Sequence, residues 1–237
     1  MPHINLDDFM MYYEVHGQGT PLLLLHGNGE DHHYFEKQIM KFQKQYKVIA
    51  VDTRGHGKST RGIKPYHFKT FADDISRLFD ALDISSAHIL GFSDGGNIAM
   101  YFAIYYPQKV KKLILNGANM YPKGLKPLVL SVMKAQYQAC LLLSLINKKV
   151  MKTKERLSLM TQHPHLTDED LQKIQSDTLI IVGEHDMIKK QHSQHMAKCI
   201  PLAKWVEIKG ANHFVSKQKA SVFYQEVLAF LQEESTL

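Results

Sequence analysis

The run His88-Ile89-Leu90-Gly91-Phe92-Ser93-Asp94-Gly95-Gly96-Asn97 carries an apolar, strand-length segment into Gly-x-Ser-x-Gly and then into a helical pattern. A serine at such a strand-to-helix turn is a nucleophile elbow: the chain reverses sharply, the hydroxyl projects from the end of the strand, and the flanking glycines let other backbone come close. The five-residue pattern by itself also fits an ordinary Gly-rich turn. The strand before it and the helix after it supply the context that an elbow requires.

Working outward, apolar runs of strand length recur at Leu22–Leu25, Val48–Val51, His88–Leu90, Leu113–Leu115, Leu179–Val182 and Trp205–Ile208, after a hairpin of Ile4–Leu6 and Met10–Val15 turning at Asp7-Asp8. Near-continuous apolar runs fit strands buried on both faces, as in a parallel sheet covered by helices. Helical patterns lie between them at Tyr34–Gln45, Thr70–Leu82, Asp94–Tyr106, Lys190–Cys199 and Lys217–Gln232. The alternation predicts an α/β fold with a mostly parallel, doubly wound sheet. The rhythm breaks once, so the expected organisation is a core in two parts, residues 1–119 and 174–237, interrupted by an all-helical insertion at 120–173.

At 237 residues and about 100–200 residues per domain, the chain has room for one large domain or one domain with an insertion. Its 44% hydrophobic and 22% charged residues exclude a disordered or fibrous chain. Two cysteines, Cys140 and Cys199, cannot make a disulfide framework, which suits a reducing compartment, the opening Met1-Pro2-His3 stretch has no signal-peptide pattern, and a cytoplasmic location is expected. The most apolar stretch, Leu125–Ile146, is interrupted by Lys126, Ser131, Lys134, Gln136, Gln138 and Ser144, which excludes a membrane span. The net charge of +6 is local: residues 121–160 hold eight basic side chains against Glu155 alone. A basic excess confined to one segment reads as a solvated helical face or an anion-attracting rim, and no nucleic-acid partner is expected.

A serine hydroxyl needs a base, and the base needs a carboxylate to orient it. In an open α/β sheet the loops after the strands converge on one crevice. Among fourteen histidines, His213 follows the last strand, and Asp186 directly follows the strand before it. Ser93, Asp186 and His213 therefore form the candidate catalytic set, with Glu184 a rival carboxylate two residues away. The loop Asn116-Gly117-Ala118-Asn119 contains no acid. For a developing oxyanion, the backbone N–H groups of Asn28, in His26-Gly27-Asn28-Gly29, and of Asp94, at a helix N-terminus, are the candidate donors. The Asp94 side chain has two readings: an acid stabilised at a helix N-terminus, or a carboxylate that pairs with a substrate amine.

With these elements in this order, the chain resembles the α/β-hydrolase superfamily over essentially its whole length. The resemblance implies Ser93 as nucleophile, Asp186 as triad acid, His213 as base and residues 120–173 as a short cap over the substrate pocket. It also implies that Asp52-Thr53-Arg54-Gly55-His56-Gly57-Lys58-Ser59 buttresses the oxyanion loop. Gly91-Phe92-Ser93-Asp94-Gly95-Gly96 and Leu115-Asn116-Gly117-Ala118-Asn119 are similar to the biphenyl-hydrolase-like or valacyclovir-hydrolase-like branch, which favours esters bearing an α-amino group.

Other signals fail. Gly55-His56-Gly57-Lys58-Ser59 has Asp52 where a phosphate-binding loop needs its first glycine, and Gly27-Asn28-Gly29 has His32 where a dinucleotide fingerprint needs its third. His32-His33, His163-Pro164-His165 and the pair His192 and His195 lack metal-ligand spacing and read as surface histidines. No cofactor and no metal are expected. The leading expectation is a serine esterase acting on a small-molecule ester. The alternatives are a carbon–carbon hydrolase or enol-lactonase using the same triad, and a ligand receptor of this fold with little turnover. The sequence leaves the oligomeric state open.

Overall fold

Four successive leucines, Leu22 to Leu25, are all buried because helices cover both faces of the strand that carries them. Leu23 and Leu25 enter one apolar cluster and Leu22 and Leu24 the other, as the two-residue period of a strand dictates. The computed structural model describes residues 3–147 and 150–234. Met1 and Pro2 of the opening stretch, and Lys148 and Lys149 of the basic run, lie outside the described residues. Among those described, eight strands form one sheet: β1 (His3–Leu6), β2 (Phe9–His16), β3 (Thr20–Leu25), β4 (Tyr46–Val51), β5 (Ala87–Phe92), β6 (Val110–Asn116), β7 (Asp177–His185) and β8 (Ala203–Asn212). Their order is β1-β2-β4-β3-β5-β6-β7-β8. The β1–β2 hairpin is antiparallel and β2 runs antiparallel to β4, while every other neighbouring pair is parallel.

Helices α1 (Glu36–Phe42), α2 (Phe68–Ala81), α3 (Asp94–Tyr105), α4 (Pro127–Leu143), α5 (Met151–Gln162), α6 (Asp168–Leu171), α7 (Lys190–Cys199), α8 (Val215–Gln218) and α9 (Ala220–Gln232) complete the architecture. Phe42 of α1 and Phe223 and Val227 of α9 pack on one face of the sheet. Phe71 and Phe79 of α2, Phe102 of α3 and Met196 of α7 pack on the other. Between Met120 and Lys173 the described elements are helices joined by turn and coil, with one isolated bridge from Leu125 to Ile188, and Leu159, Leu166 and Leu171 join the main core. No described helix is long and apolar enough to cross a membrane.

Two helices differ from expectation. Instead of one helix over 34–45, a 3-10 turn at His32–Phe35, capped by the Asp31 side chain on the His33 N–H, precedes a shorter α1. The expected helix over 217–232 starts earlier and breaks at Lys219. There the Gln38 amide donates to the Ser216 carbonyl at 2.5 Å, so a distant side chain takes an acceptor that a continuous helix would use for its own N–H.

The β1–β2 turn is joined to the segment after β4 by one buried cation. Arg54 is fully buried and donates to Asp8 at 2.7 and 2.9 Å and to Asp74 of α2 at 2.9 and 2.8 Å, with its guanidinium 4.1 Å above the Phe9 ring. These bonds hold the Asp8 carboxyl far below the usual carboxylate range. Replacing Arg54 with Ala would leave Asp74 and Asp8 with only their longer cation contacts, to half-exposed Arg77 and Lys64, and should cost about 3–5 kcal/mol in urea denaturation. Arg77→Ala, which removes a half-exposed partner of the same Asp74, should cost less than about 1 kcal/mol.

Candidate active site

Ser93 stands where β5 ends and α3 begins, at φ 52° and ψ −119°, a conformation that side-chain-bearing residues rarely adopt. Its N–H donates to the Asn116 carbonyl at 2.8 Å, and its own carbonyl accepts from the Asn97 N–H at 3.0 Å. Both bonds fix the reversal. The next turn admits only glycine: a Cβ on Gly95 would sit 2.0 Å from the Leu25 carbonyl oxygen and 2.5 Å from that of His26. Three segments of backbone, from β3, β5 and α3, thus meet at the base of the serine.

β7 and β8 are neighbours in the sheet, and the loops beyond their carboxyl ends hold Asp186 and His213. His213 Nδ1 lies 2.7 Å from Asp186 Oδ1, and His213 Nε2 lies 3.1 Å from Ser93 Oγ. A carboxylate at Nδ1 puts the ring proton there and leaves Nε2 as an acceptor for the serine hydroxyl. Asp186 is itself fixed, Oδ1 accepting from the Ile188 N–H at 3.0 Å. The ring of His213 rests on Gly117 at φ 64°, where a Cβ would approach Cε1 to 2.7 Å, and packs 4.9 Å from the Phe92 ring. Glu184 is turned away: its carboxylate accepts from the Gly210 N–H at 2.9 Å and meets Lys209. Of the two acids weighed from sequence, Asp186 is the one brought to the histidine.

The loop after β3 is shaped by His26. Its Nδ1–H donates to the Gly27 carbonyl at 2.8 Å, and Nε2 accepts from the Thr53 N–H at 3.0 Å. Burial holds the imidazole below its ordinary pKa, in keeping with the neutral ring that these two bonds require. The segment after β4 is tied down beneath it. Fully buried Asp52 accepts from the His32 N–H at 2.8 Å and the Lys58 N–H at 2.7 Å.

Asp94 follows Ser93 at the first turn of α3, where the earliest N–H groups have no acceptor within the helix. Its side chain accepts from the Asn28 amide at 2.7 Å and from the Asn97 amide at 3.4 Å. The same Asn28 amide donates to the Arg156 carbonyl of α5 at 2.9 Å, and Asn97 exchanges bonds with Asn119 at 2.9 and 3.2 Å. Burial raises the Asp94 pKa to about 6, against the opposing pull of the Asn28 amide. These amide links escape a sequence reading, apart from Asn97, whose i+3 spacing from Asp94 puts both on one helix face.

The cavity lined by His26, Asn28, His56, Asp94 and Leu159 measures about 10 Å³, room for about one water. Two wider cavities, near 390 Å³, lie at the opposite, amino-terminal end of the strands around Thr20, His88, Val110 and Asp177, and beside Pro201 and Phe230. They are remote from the crevice that strand carboxyl ends create.

Two histidines expected at the surface are buried. His32 Nδ1 pairs with Asp52 at 2.8 Å and Nε2 faces Glu14 at 3.3 Å, while His192 Nε2 accepts from the Met120 N–H at 3.1 Å. His32 Nδ1 and His192 Nε2 each have a hydrogen-bond partner that offsets burial, whereas His32 Nε2 has no hydrogen bond and only the Glu14 carboxylate nearby. Among the described residues, Asp31, His32 and His33, and separately Asp168, His195 and Cys199, bring three potential donor atoms within 4.8 Å of one another. Neither group includes Ser93, Asp186 or His213.

A family model described as alpha/beta hydrolase fold matches residues 20–134, a stretch that includes Ser93 and stops before Asp186 and His213. A protein of Azorhizobium caulinodans named as a carbamate hydrolase, RutD, is 38% identical over 118 residues, 49% of this chain and 44% of the relative. The 3-oxoadipate enol-lactonase 2 of Acinetobacter baylyi is 32% identical over 114 residues, 47% of this chain and 43% of the relative. Each alignment covers less than half of the relative's length. The crystal structure of a hydrolase from Pseudomonas aeruginosa PA01 superimposes with a TM-score of 0.83 at 23% identity, covering 98% of both chains.

The raised pKa of Asp94 has a consequence for stability. The folded state binds its proton more tightly than the unfolded chain, so stability is lost as pH rises from the ordinary aspartate value of 3.8 through about 6. Asp94→Asn keeps the shape without the charge. Its stability relative to the parent should therefore rise between pH 4 and pH 8 by on the order of 3 kcal/mol from the size of the shift, on top of a pH-independent cost of about 1–3 kcal/mol because the new amide can accept from only one of the two donors, as read in urea titrations.

Proposed function

We infer from the family-model match over residues 20–134 and from the partial relatives that the chain belongs to the α/β-hydrolase superfamily, and on that premise we propose that it is a serine hydrolase cleaving a small carboxylic ester through Ser93, His213 and Asp186. The observation that carries this reading is the use of both His213 ring nitrogens: Nε2 toward Ser93 Oγ at 3.1 Å and Nδ1 toward Asp186 at 2.7 Å. In this mechanism His213 takes the Ser93 proton as Oγ attacks the ester carbonyl, and Asp186 stabilises the imidazolium. The negative charge that develops on the carbonyl oxygen meets the N–H groups of Asn28 and Asp94. Collapse breaks the bond to the alkoxy group, which leaves as an alcohol with the proton from His213. Water, deprotonated by His213, then attacks the acyl-enzyme and releases the acid and the free serine. None of these steps calls on a cofactor.

A second reading rests on the relatives. Enol-lactonase and carbamate hydrolase are the names of partial relatives, and an enol-lactone, a carbamate and an ester all present a carbonyl carbon bearing a heteroatom leaving group. One triad serves all three, so the pocket decides among them.

We read residues 120–173 as the cap that forms that pocket, since none of the proposed catalytic groups lies within it. The Asp94 side chain is read as a helix-end acid that positions the Asn28 loop, because it is 7% exposed and already accepts two amides. On that reading Asp94→Asn should change the kinetics of α-amino and neutral esters alike; a loss confined to the amino esters would restore the amine-pairing role.

Ser93→Ala should abolish both turnover of nitrophenyl esters and labelling by a fluorophosphonate. His213→Ala should lose on the order of 10⁴-fold in turnover and Asp186→Asn somewhat less, with Glu184→Gln nearly silent. Labelling that survives at another serine, or tight ligand binding with no multiple turnover, would overturn the reading. A panel that adds an enol-lactone and a carbamate separates the substrate classes, and substitutions at Met133 or Tyr137 should shift acyl-chain preference more than they slow the best substrate.

A further inference from the structure

Half of the large apolar side chains exposed among the described residues fall in the α4–α5 hairpin, and α4 buries none of its residues. They concentrate at the tip. Leu141, Leu142 and Leu143 close α4, and Leu145 and Ile146 follow in the turn, the last two 80% and 85% exposed. Successive helical residues point about 100° apart, so these leucines surround the axis rather than line one face. The serine among them needs no water, because Ser144 Oγ donates to the Leu141 carbonyl at 2.7 Å. Behind the tip stand cations. Lys134 lies eight residues before Leu142, about 12 Å along the helix, and Lys152 lies in the first turn of α5, which packs on α4. Neither lysine has an ion-pair partner among the described residues, and the single acid of residues 121–160, Glu155, is held by Arg61.

We propose that this tip inserts into the interfacial region of an anionic lipid membrane, with the lysines behind it at the headgroups. An all-round apolar tip suits a medium that surrounds it, whereas a protein groove covers only one stripe of a helix. A basic collar complements anionic lipid. A second copy docking on the same face would bring the two sets of lysines together with no free acid to offset them. α4, at 17 residues, is not a membrane span, and its tip length matches the shallow insertion of interfacial helices, about 5–10 Å. The Asn28 amide bonded to the Arg156 carbonyl ties α5 to the loop beside Ser93, so insertion would hold that crevice close to the lipid surface. The proposal stands whether or not the chain cleaves esters.

The test is flotation of the full chain with vesicles of phosphatidylcholine alone and of an equimolar mixture with phosphatidylglycerol. Binding is expected to the mixed vesicles, and to weaken as salt is raised. The double substitution Leu145→Ser and Ile146→Ser, at positions so exposed that thermal stability should be unchanged, should weaken that binding about tenfold or more. Lys134→Glu with Lys152→Glu should remove the preference for anionic vesicles. Failure of the parent protein to bind the mixed vesicles, or undiminished binding by the serine variant, overturns the proposal. So does sedimentation velocity showing a dimer that the serine substitutions dissolve in a protein that binds no vesicles.

Discussion

The crossing of three backbones beneath Ser93 is the constraint on which the rest of the site depends. With a Cβ at residue 95 excluded by an oxygen 2.0 Å away, α3 can start as close to β3 as hydrogen-bonded backbone allows. That closeness fixes the serine in its left-handed turn and brings the loop after β3 alongside it. The strain of the φ 52° conformation is held by two backbone bonds and by the packing of β5 between β3 and β6. A looser crossing would move the serine relative to His213, whose own place is set by β7 and β8 on the far side of β6.

Around this crossing the molecule handles its buried charges in two ways. Arg54, Asp52 and Asp186 are each saturated with partners, so their burial costs little and they act as fixed posts. Asp94 receives only amides, and its raised pKa is the sign of a charge not fully compensated. A helix N-terminus favours such an anion, but the neighbouring amides and the dipole do not replace the water it has lost. The cost is local and sits beside the proposed nucleophile, where polar groups held in place are of most use to a reaction that develops negative charge.

The core and the α4–α5 hairpin obey opposite rules. In the sheet, apolar residues alternate into two clusters on its two faces. In α4 the apolar residues face outward and the basic residues have few acids near them. α5 belongs to both regions, since Leu157 and Leu159 are buried and the Arg156 carbonyl meets the Asn28 loop. Any movement of the hairpin is therefore felt beside Ser93 through one bifurcating amide. This coupling also fits the small size of the cavity there, because α5 supplies part of its wall through Leu159.

The sequence by itself determined the strands, the elbow and the loops in which Asp186 and His213 lie. These depend on local properties: apolar runs that mark strands covered on both faces, glycines around a serine, and residues that directly follow a strand. Asp186 was preferred over Glu184 on position alone, because it directly follows the strand; what turns the Glu184 carboxylate away is its bond from the Gly210 N–H, a contact between neighbouring strands. What only the tertiary structure decided are pairings across long separations. Asn28 reaches Asp94 66 residues away, Gln38 breaks the last helix through Ser216 178 residues away, and Asp52 with Glu14 carries His32 into the interior. A side chain's own chemistry says that it needs a partner once it is buried; which partner it finds depends on the closure of the chain, and no local pattern records that.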